Sequence, residues 1–157
     1  MANVVYMTRE RVQEIEQEVH QLKTKGRREI AQKIADARSH GDLSENADYD
    51  AAKEEQGLLE MKISKFENIL SKVQVVKPED FPNDKVYILS KVRIKNQNTG
   101  DIFDYVLVSP EEADFDKNKI SVTSIVGKAL MGKFAGDIVE VKVPAGITRY
   151  EIVEIGK

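Results

Sequence analysis

The feature that most restricts the fold is a change of hydrophobic period near residue 76. Before it, apolar or small residues recur every three or four positions: Val12, Ile15, Val19, Leu22, Gly26, Ile30, Ile34 and Ala37. That spacing lays them along one face of a helix. Thr8 stands where an N-cap belongs, Glu10 falls in the first turn to oppose the helix dipole, and Gly41 can end the helix in a left-handed conformation. A second stripe holds Ala52, Leu59, Ile63, Phe66, Leu70 and Val73, and from Leu59 onward it steps 4, 3, 4, 3, the rhythm of a coiled coil. Folded about residues 42 and 43, the stripes face one another: Val12 to Val73, Ile15 to Leu70, Val19 to Phe66 and Leu22 to Ile63. Burying such pairs drives an antiparallel hairpin, at roughly 1.5–3 kcal/mol per fully buried large side chain. A helix from Thr8 to about Ser39 would run roughly 45–50 Å at 1.5 Å per residue.

Beyond residue 76 the pattern turns to short β-rich runs, at 86–94, 102–108, 119–122, 137–143 and 147–155. Asn98-Thr99-Gly100-Asp101 and Pro144-Ala145-Gly146 read as turns between neighbouring strands. Residues 124–131 read as a short helix closed by Gly132. Pro78 and Pro82, set among acidic and amide residues, mark 77–84 as a linker. The expected organisation is α+β: an antiparallel α-helical coiled-coil hairpin over 1–76, a linker over 77–84 and a β-sheet domain over 85–157.

Composition removes several functions. No cysteine is present and histidine is limited to His20 and His40, so thiolate sites and a three-histidine zinc site within one chain are excluded. With 24 basic against 27 acidic residues the net charge is −3, which does not suit a bulk polyanion binder. No apolar run approaches the roughly 20 residues that span a bilayer, and residues 1–6 do not read as a signal peptide. The expectation is a cytoplasmic protein without membrane contact.

The hairpin tip concentrates acid. Asp42, Glu45, Asp48 and Asp50 fall within nine positions. One reading is helix capping, with Asp42 as N-cap of the second helix and Glu45 closing a capping box. The other is that Asp42 and Glu45 hold a divalent cation. Hard carboxylate oxygens suit Mg²⁺, which takes one or two carboxylates together with phosphates and water in phosphoryl-transfer sites. The two readings are compatible. Asp48 and Asp50 serve the helix dipole. Ser44, Asn46 and Tyr49 are candidate supports of the tip; Tyr49 would brace it by packing or stack on nucleic acid. Along the first helix, Lys23, Lys25, Arg27 and Arg28, with Arg38 nearer the tip, form either a solvated face or an RNA-phosphate contact.

Residues 34–56, centred on His40-Gly41-Asp42-Leu43-Ser44-Glu45-Asn46-Ala47-Asp48-Tyr49-Asp50, closely resemble the signature of the bacterial Gre transcript cleavage factors. Glu112-Ala113-Asp114-Phe115 with Asn118 and Ile120-Ser121-Val122, and Gly127-Lys128-Ala129-Leu130-Met131-Gly132-Lys133 with Gly136-Asp137, agree with it. The likeness runs from about Met7 to about Ile155 and departs at Ile125, where the family usually has proline. It implies an FKBP-like C-terminal domain that docks at the secondary channel of bacterial RNA polymerase. It also implies a coiled coil that enters the channel and brings its tip to the catalytic centre. Asp42 and Glu45 would then help hold a second Mg²⁺, shared with the polymerase, while the polymerase hydrolyses backtracked RNA near its 3′ end. On this reading the chain is a monomeric transcription elongation factor and not an independent enzyme. The family carries a basic patch on the coiled coil, and the modest cluster here fits the branch with the smaller patch. An FKBP-like outline does not by itself imply prolyl isomerase activity. The rival readings are an inhibitory binder of the same channel, and a coiled-coil holdase or adaptor indifferent to Asp42 and Glu45.

Overall fold

The computed structural model describes residues 4–41 and 46–157. Two compact units emerge: Glu10–Val73, and Val4–Arg9 together with Gln74–Lys157. They divide the chain elsewhere than the boundaries expected at 76 and 84. The segment before the first helix belongs with the C-terminal unit, and so do residues 77–84.

In the first unit, α1 (Arg9–Gln21), a π-helical turn (Leu22–Gly26) and α2 (Arg27–Arg38) form one arm. The other arm is α3 (Ala47–Lys72). Every member of the first expected stripe is buried or half-buried, Ile15, Val19 and Ala37 most completely. On α3 the buried residues are Ala52 and Ile63, with Leu59, Phe66 and Leu70 half-buried beside them. A Cβ placed on Gly26 would lie 3.3 Å from Leu59 Cδ1, so these two residues meet symmetrically about the expected pivot. Among the described residues four ion pairs bridge the arms: Lys23–Glu67, Arg27–Glu60, Lys33–Glu55 and Glu18–Lys62.

The π-helical turn has a reading in the stripe. Leu22, Gly26, Ile30 and Ile34 step by four three times running, whereas α3 alternates four and three. The first arm therefore carries about one residue more than a heptad allows. A π-turn absorbs one extra residue and restores the phase of the apolar face. The Arg27 N–H accordingly donates to the Leu22 carbonyl, five residues back, and the Thr24 hydroxyl donates to the His20 carbonyl at 2.8 Å.

β1 (Val5–Met7) pairs with β2 (Val73–Val75), of which residues 74 and 75 fall in the second unit. The main sheet comprises β3 (Lys91–Asn96), β4 (Ile102–Val108), β5 (Lys119–Ser121), β6 (Ile138–Val143) and β7 (Gly146–Gly156), in the order β5-β4-β3-β7-β6. All pairs are antiparallel except β4–β5. The helix α4 (Ile125–Leu130) completes the mixed α+β unit, as expected of the FKBP-like outline. Val86, Val92, Ile94, Leu107, Leu130, Val139 and Ile152 form one buried cluster.

Two differences from the sequence reading have physical causes. Residues 86–90 were expected to be strand but form a turn before β3: Leu89 takes φ +70°, and the Tyr87 N–H donates to Ser90 Oγ at 2.8 Å. The expected linker is folded. Pro78–Asp80 makes a 3-10 turn in which the Lys77 N–H donates to Asp80 Oδ2 at 3.0 Å, and Phe81 packs on the cluster of Val76, Leu89 and Val108. Thr8 stands directly before α1, and its hydroxyl and its N–H both donate to the buried Glu112, at 2.7 and 2.9 Å. Ile125 occupies the first position of α4, where proline is favoured for its fixed φ. Here Ser124 supplies the cap instead, its Oγ accepting from the Gly127 N–H at 3.0 Å, and Ile125 is exposed.

Candidate functional site

Asp42, Ser44 and Glu45, the expected metal-holding pair and one expected support, lie outside the described residues. The structure does describe the neck from which they are carried. α2 ends at Arg38 with Ser39 as its C-cap, and Gly41 leaves with φ +113°. α3 begins at Ala47, and its N-cap is Asn46, in extended conformation. The capping role considered for Asp42 therefore belongs to a residue four positions later. Asparagine ranks with serine and aspartate as a cap, so the signal was present in the sequence and was masked by the acids before it.

Asn46 does more than cap. Its Oδ1 accepts from the Tyr49 N–H at 3.1 Å, and its Nδ2 donates to the carbonyl of Ala37 at the end of α2. Beside it the Arg38 guanidinium lies 5.9 Å from the centre of the half-buried Tyr49 ring, a cation–π distance. His40 Nδ1 stands 3.5 Å from Asp48 Oδ2. Two of the expected supports, Asn46 and Tyr49, are thus brought together with Arg38. Asp48 and Asp50 fall in the first turn of α3, where they oppose the helix dipole.

The basic cluster divides. Lys23 Nζ lies 2.6 Å from Glu67, and Arg27 binds both oxygens of Glu60, at 3.0 and 2.8 Å. The hydrogen bond from Arg27 holds the Glu60 carboxyl below its ordinary range, and the same bond raises the guanidinium pKa. Lys25 approaches Glu29 on its own helix at 3.9 Å. Arg28 makes no ion pair among the described residues. Lys33, which the sequence reading passed over, pairs with Glu55 at 2.9 Å, and that hydrogen bond raises its pKa.

Two adjoining matches identify the class. Residues 5–75 match the family described as transcription elongation factor, N-terminal, and residues 81–157 match transcription elongation factor, GreA/GreB, C-terminal. The chain belongs to the GreA/GreB family of transcription elongation factors. Its relatives make the branch specific. It is 50% identical over 156 residues to the transcription elongation factor GreA of Chlorobaculum parvum, covering 99% of this chain and 98% of that one. It is 47% identical over 155 residues to GreA of Flavobacterium johnsoniae, with coverage of 99% and 98%. Among solved structures it is similar to GreA factor homolog 1 (Gfh1) of Thermus thermophilus, at 25% identity, TM-score 0.45, and coverage of 99% of this chain and 100% of that one. No helix among the described residues is long and apolar enough to cross a membrane.

Proposed function

We propose that this elongation factor stimulates transcript cleavage by lending ligands to RNA polymerase, which performs the hydrolysis. The observation that carries the reading is the family match over both halves of a chain that holds Asp42 and Glu45 at the hairpin turn. The hairpin enters the secondary channel, the sheet unit docks outside it, and the tip meets the 3′ end of backtracked RNA.

The donor set suits Mg²⁺. Two carboxylates offer hard oxygens, and a six-coordinate ion takes its remaining ligands from phosphate, water and the polymerase. Among the described residues no group of three or more acidic or histidine side chains could hold a metal, and Asp48 faces His40. Bound between Asp42, Glu45 and the polymerase, Mg²⁺ would supply Lewis-acid stabilisation of charge on the reacting oxygens. The part of this chain is to hold Asp42 and Glu45 at the right place on a slender support. An acceleration of about 10³-fold would require about 4 kcal/mol of transition-state stabilisation. Of the basic residues, Arg28 and Lys25 are the better candidates for RNA phosphates, because Lys23 and Arg27 are engaged with α3. The factor acts as a monomer.

The test is a cleavage assay on stalled, backtracked bacterial RNA polymerase carrying end-labelled RNA. Shortening is expected with the wild type and little above background with Asp42→Ala/Glu45→Ala, while both proteins compete equally for polymerase. Equal acceleration by both would remove the carboxylates from the mechanism. Slower cleavage with the wild type than with no factor would make the chain an inhibitory channel binder.

A further inference from the structure

We infer that Asn46 is a positioning residue for the tip carboxylates, acting as a two-ended amide clamp across the neck of the hairpin. The inference rests on the carboxylate reading above and adds to it how the tip is held.

Each helix end leaves backbone groups without intrahelical partners: carbonyls at the end of α2 and N–H groups at the start of α3. One side chain serves both. Nδ2 of Asn46 donates to the carbonyl of Ala37, a residue 3% exposed whose carbonyl also accepts the His40 N–H at 3.2 Å, and Oδ1 accepts from Tyr49. The Asn46 carbonyl meanwhile accepts the Asp50 N–H at 3.1 Å and starts the helical ladder. The clamp therefore fixes the separation of the two helix ends from which the segment bearing Asp42 and Glu45 is strung. The Arg38–Tyr49 and His40–Asp48 contacts flank it.

A cap alone does not require an amide. Asparagine, aspartate and serine are close to equivalent as N-caps, since only an acceptor is needed. The link to Ala37 needs a donor on the same side chain, at amide length. Aspartate would set an anionic oxygen against the Ala37 carbonyl, and serine is too short to reach both ends. The substitution series thus separates capping from clamping. The clamp matters because metal ligands delivered into another protein's active site work only if they arrive pre-arranged.

The experiment compares wild type, Asn46→Ser, Asn46→Asp and Asp42→Ala/Glu45→Ala in the backtracked-complex assay. Cleavage is measured against Mg²⁺ concentration, alongside melting temperature and competition for polymerase. Asn46→Ser, which adds no charge, is decisive. It should melt and compete like the wild type, yet stimulate about tenfold less, in the range typical for outer supports of metal ligands. Its half-saturating Mg²⁺ should rise, with part of the rate restored at high Mg²⁺. Asn46→Asp should behave in the same way. Wild-type rate and Mg²⁺ dependence in Asn46→Ser would overturn the inference. So would a loss of rate matched by an equal loss of melting temperature or polymerase binding, which would assign Asn46 to folding alone. Full stimulation by Asp42→Ala/Glu45→Ala would defeat the carboxylate reading itself, an outcome distinct from either result with Asn46→Ser.

Discussion

The helical hairpin buries five apolar side chains among its described residues, Ile15, Val19, Ala37, Ala52 and Ile63, whereas the sheet unit buries twelve. The hairpin compensates with ion pairs across its seam, all between exposed or half-exposed groups. Such pairs contribute little individually. The hairpin is made of two helical arms, and most of their described residues are exposed. The sheet unit packs β-strands against α4 and a second small cluster. One region spends its sequence on reach and the other on a stable platform. Substitutions should therefore be tolerated unequally.

The largest expected effect is at Gly127 in α4. A Cβ there would lie 2.0 Å from the Ser121 carbonyl oxygen and 2.9 Å from Ser124 Oγ. Backbone cannot yield cheaply at that distance, so Gly127→Ala should unfold or severely destabilise the sheet unit, read as loss of its thermal transition. Next, Ile152→Ala removes a fully buried side chain from the main cluster and should cost about 2–5 kcal/mol in denaturant unfolding. Leu59→Ala, at the half-buried seam, should cost only about 1 kcal/mol. Equal costs at the two positions would end the contrast between thin seam and full core. Gly57→Ala should reverse the sign. A Cβ at Gly57 meets nothing within 4 Å on α3, so alanine should stabilise the hairpin by about 0.5–1 kcal/mol through helix propensity.

The smallest effect concerns acid. Folding lowers the Glu60 pKa through the hydrogen bond from Arg27, and that of Asp104 in the sheet through the bond from Arg93. The unfolded chain then binds more protons than the folded one across the acidic side of the carboxylate range. Stability is fully present above that range and is lost as pH falls through the folded values. Glu60→Gln should flatten part of this acid dependence in the hairpin transition and barely change melting at neutral pH. An unchanged acid slope would show the Arg27–Glu60 contact to be inert.

What could be read from the sequence follows the range of the interactions. The hairpin stripes repeat locally, so Val12 to Ala37 and Leu59 to Leu70 announced both arms, whereas Val73, read as the last member of the second stripe, opens β2. The strands from 102 onward and α4 were legible from alternation and turn residues. The π-helical turn was written in the repeated steps of four at Leu22, Gly26, Ile30 and Ile34 but showed itself only once the helix was seen. Strand β1 escaped because its partner β2 lies far along the chain, while the turns at 77–80 and 86–90 escaped because side-chain-to-backbone bonds three residues apart, from Lys77 to Asp80 and from Tyr87 to Ser90, do not show in an apolar pattern. The tip acids were conspicuous as residues. The bond from Asn46 to Ala37 was not, since a carbonyl acceptor leaves no trace in residue type.

The bond between Thr8 and Glu112 spans 104 positions. In a chain made from one end to the other, the two arms of the hairpin can zip as soon as both have emerged, from contacts close in sequence. Strand β1 and Thr8 emerge earlier still, yet Glu112 follows only after the whole hairpin has been made. The segment of β1 and Thr8 must therefore wait for its carboxylate while the helices that follow it fold. Its capture by Glu112 is then a late event in the birth of the protein, after the hairpin between them has been made.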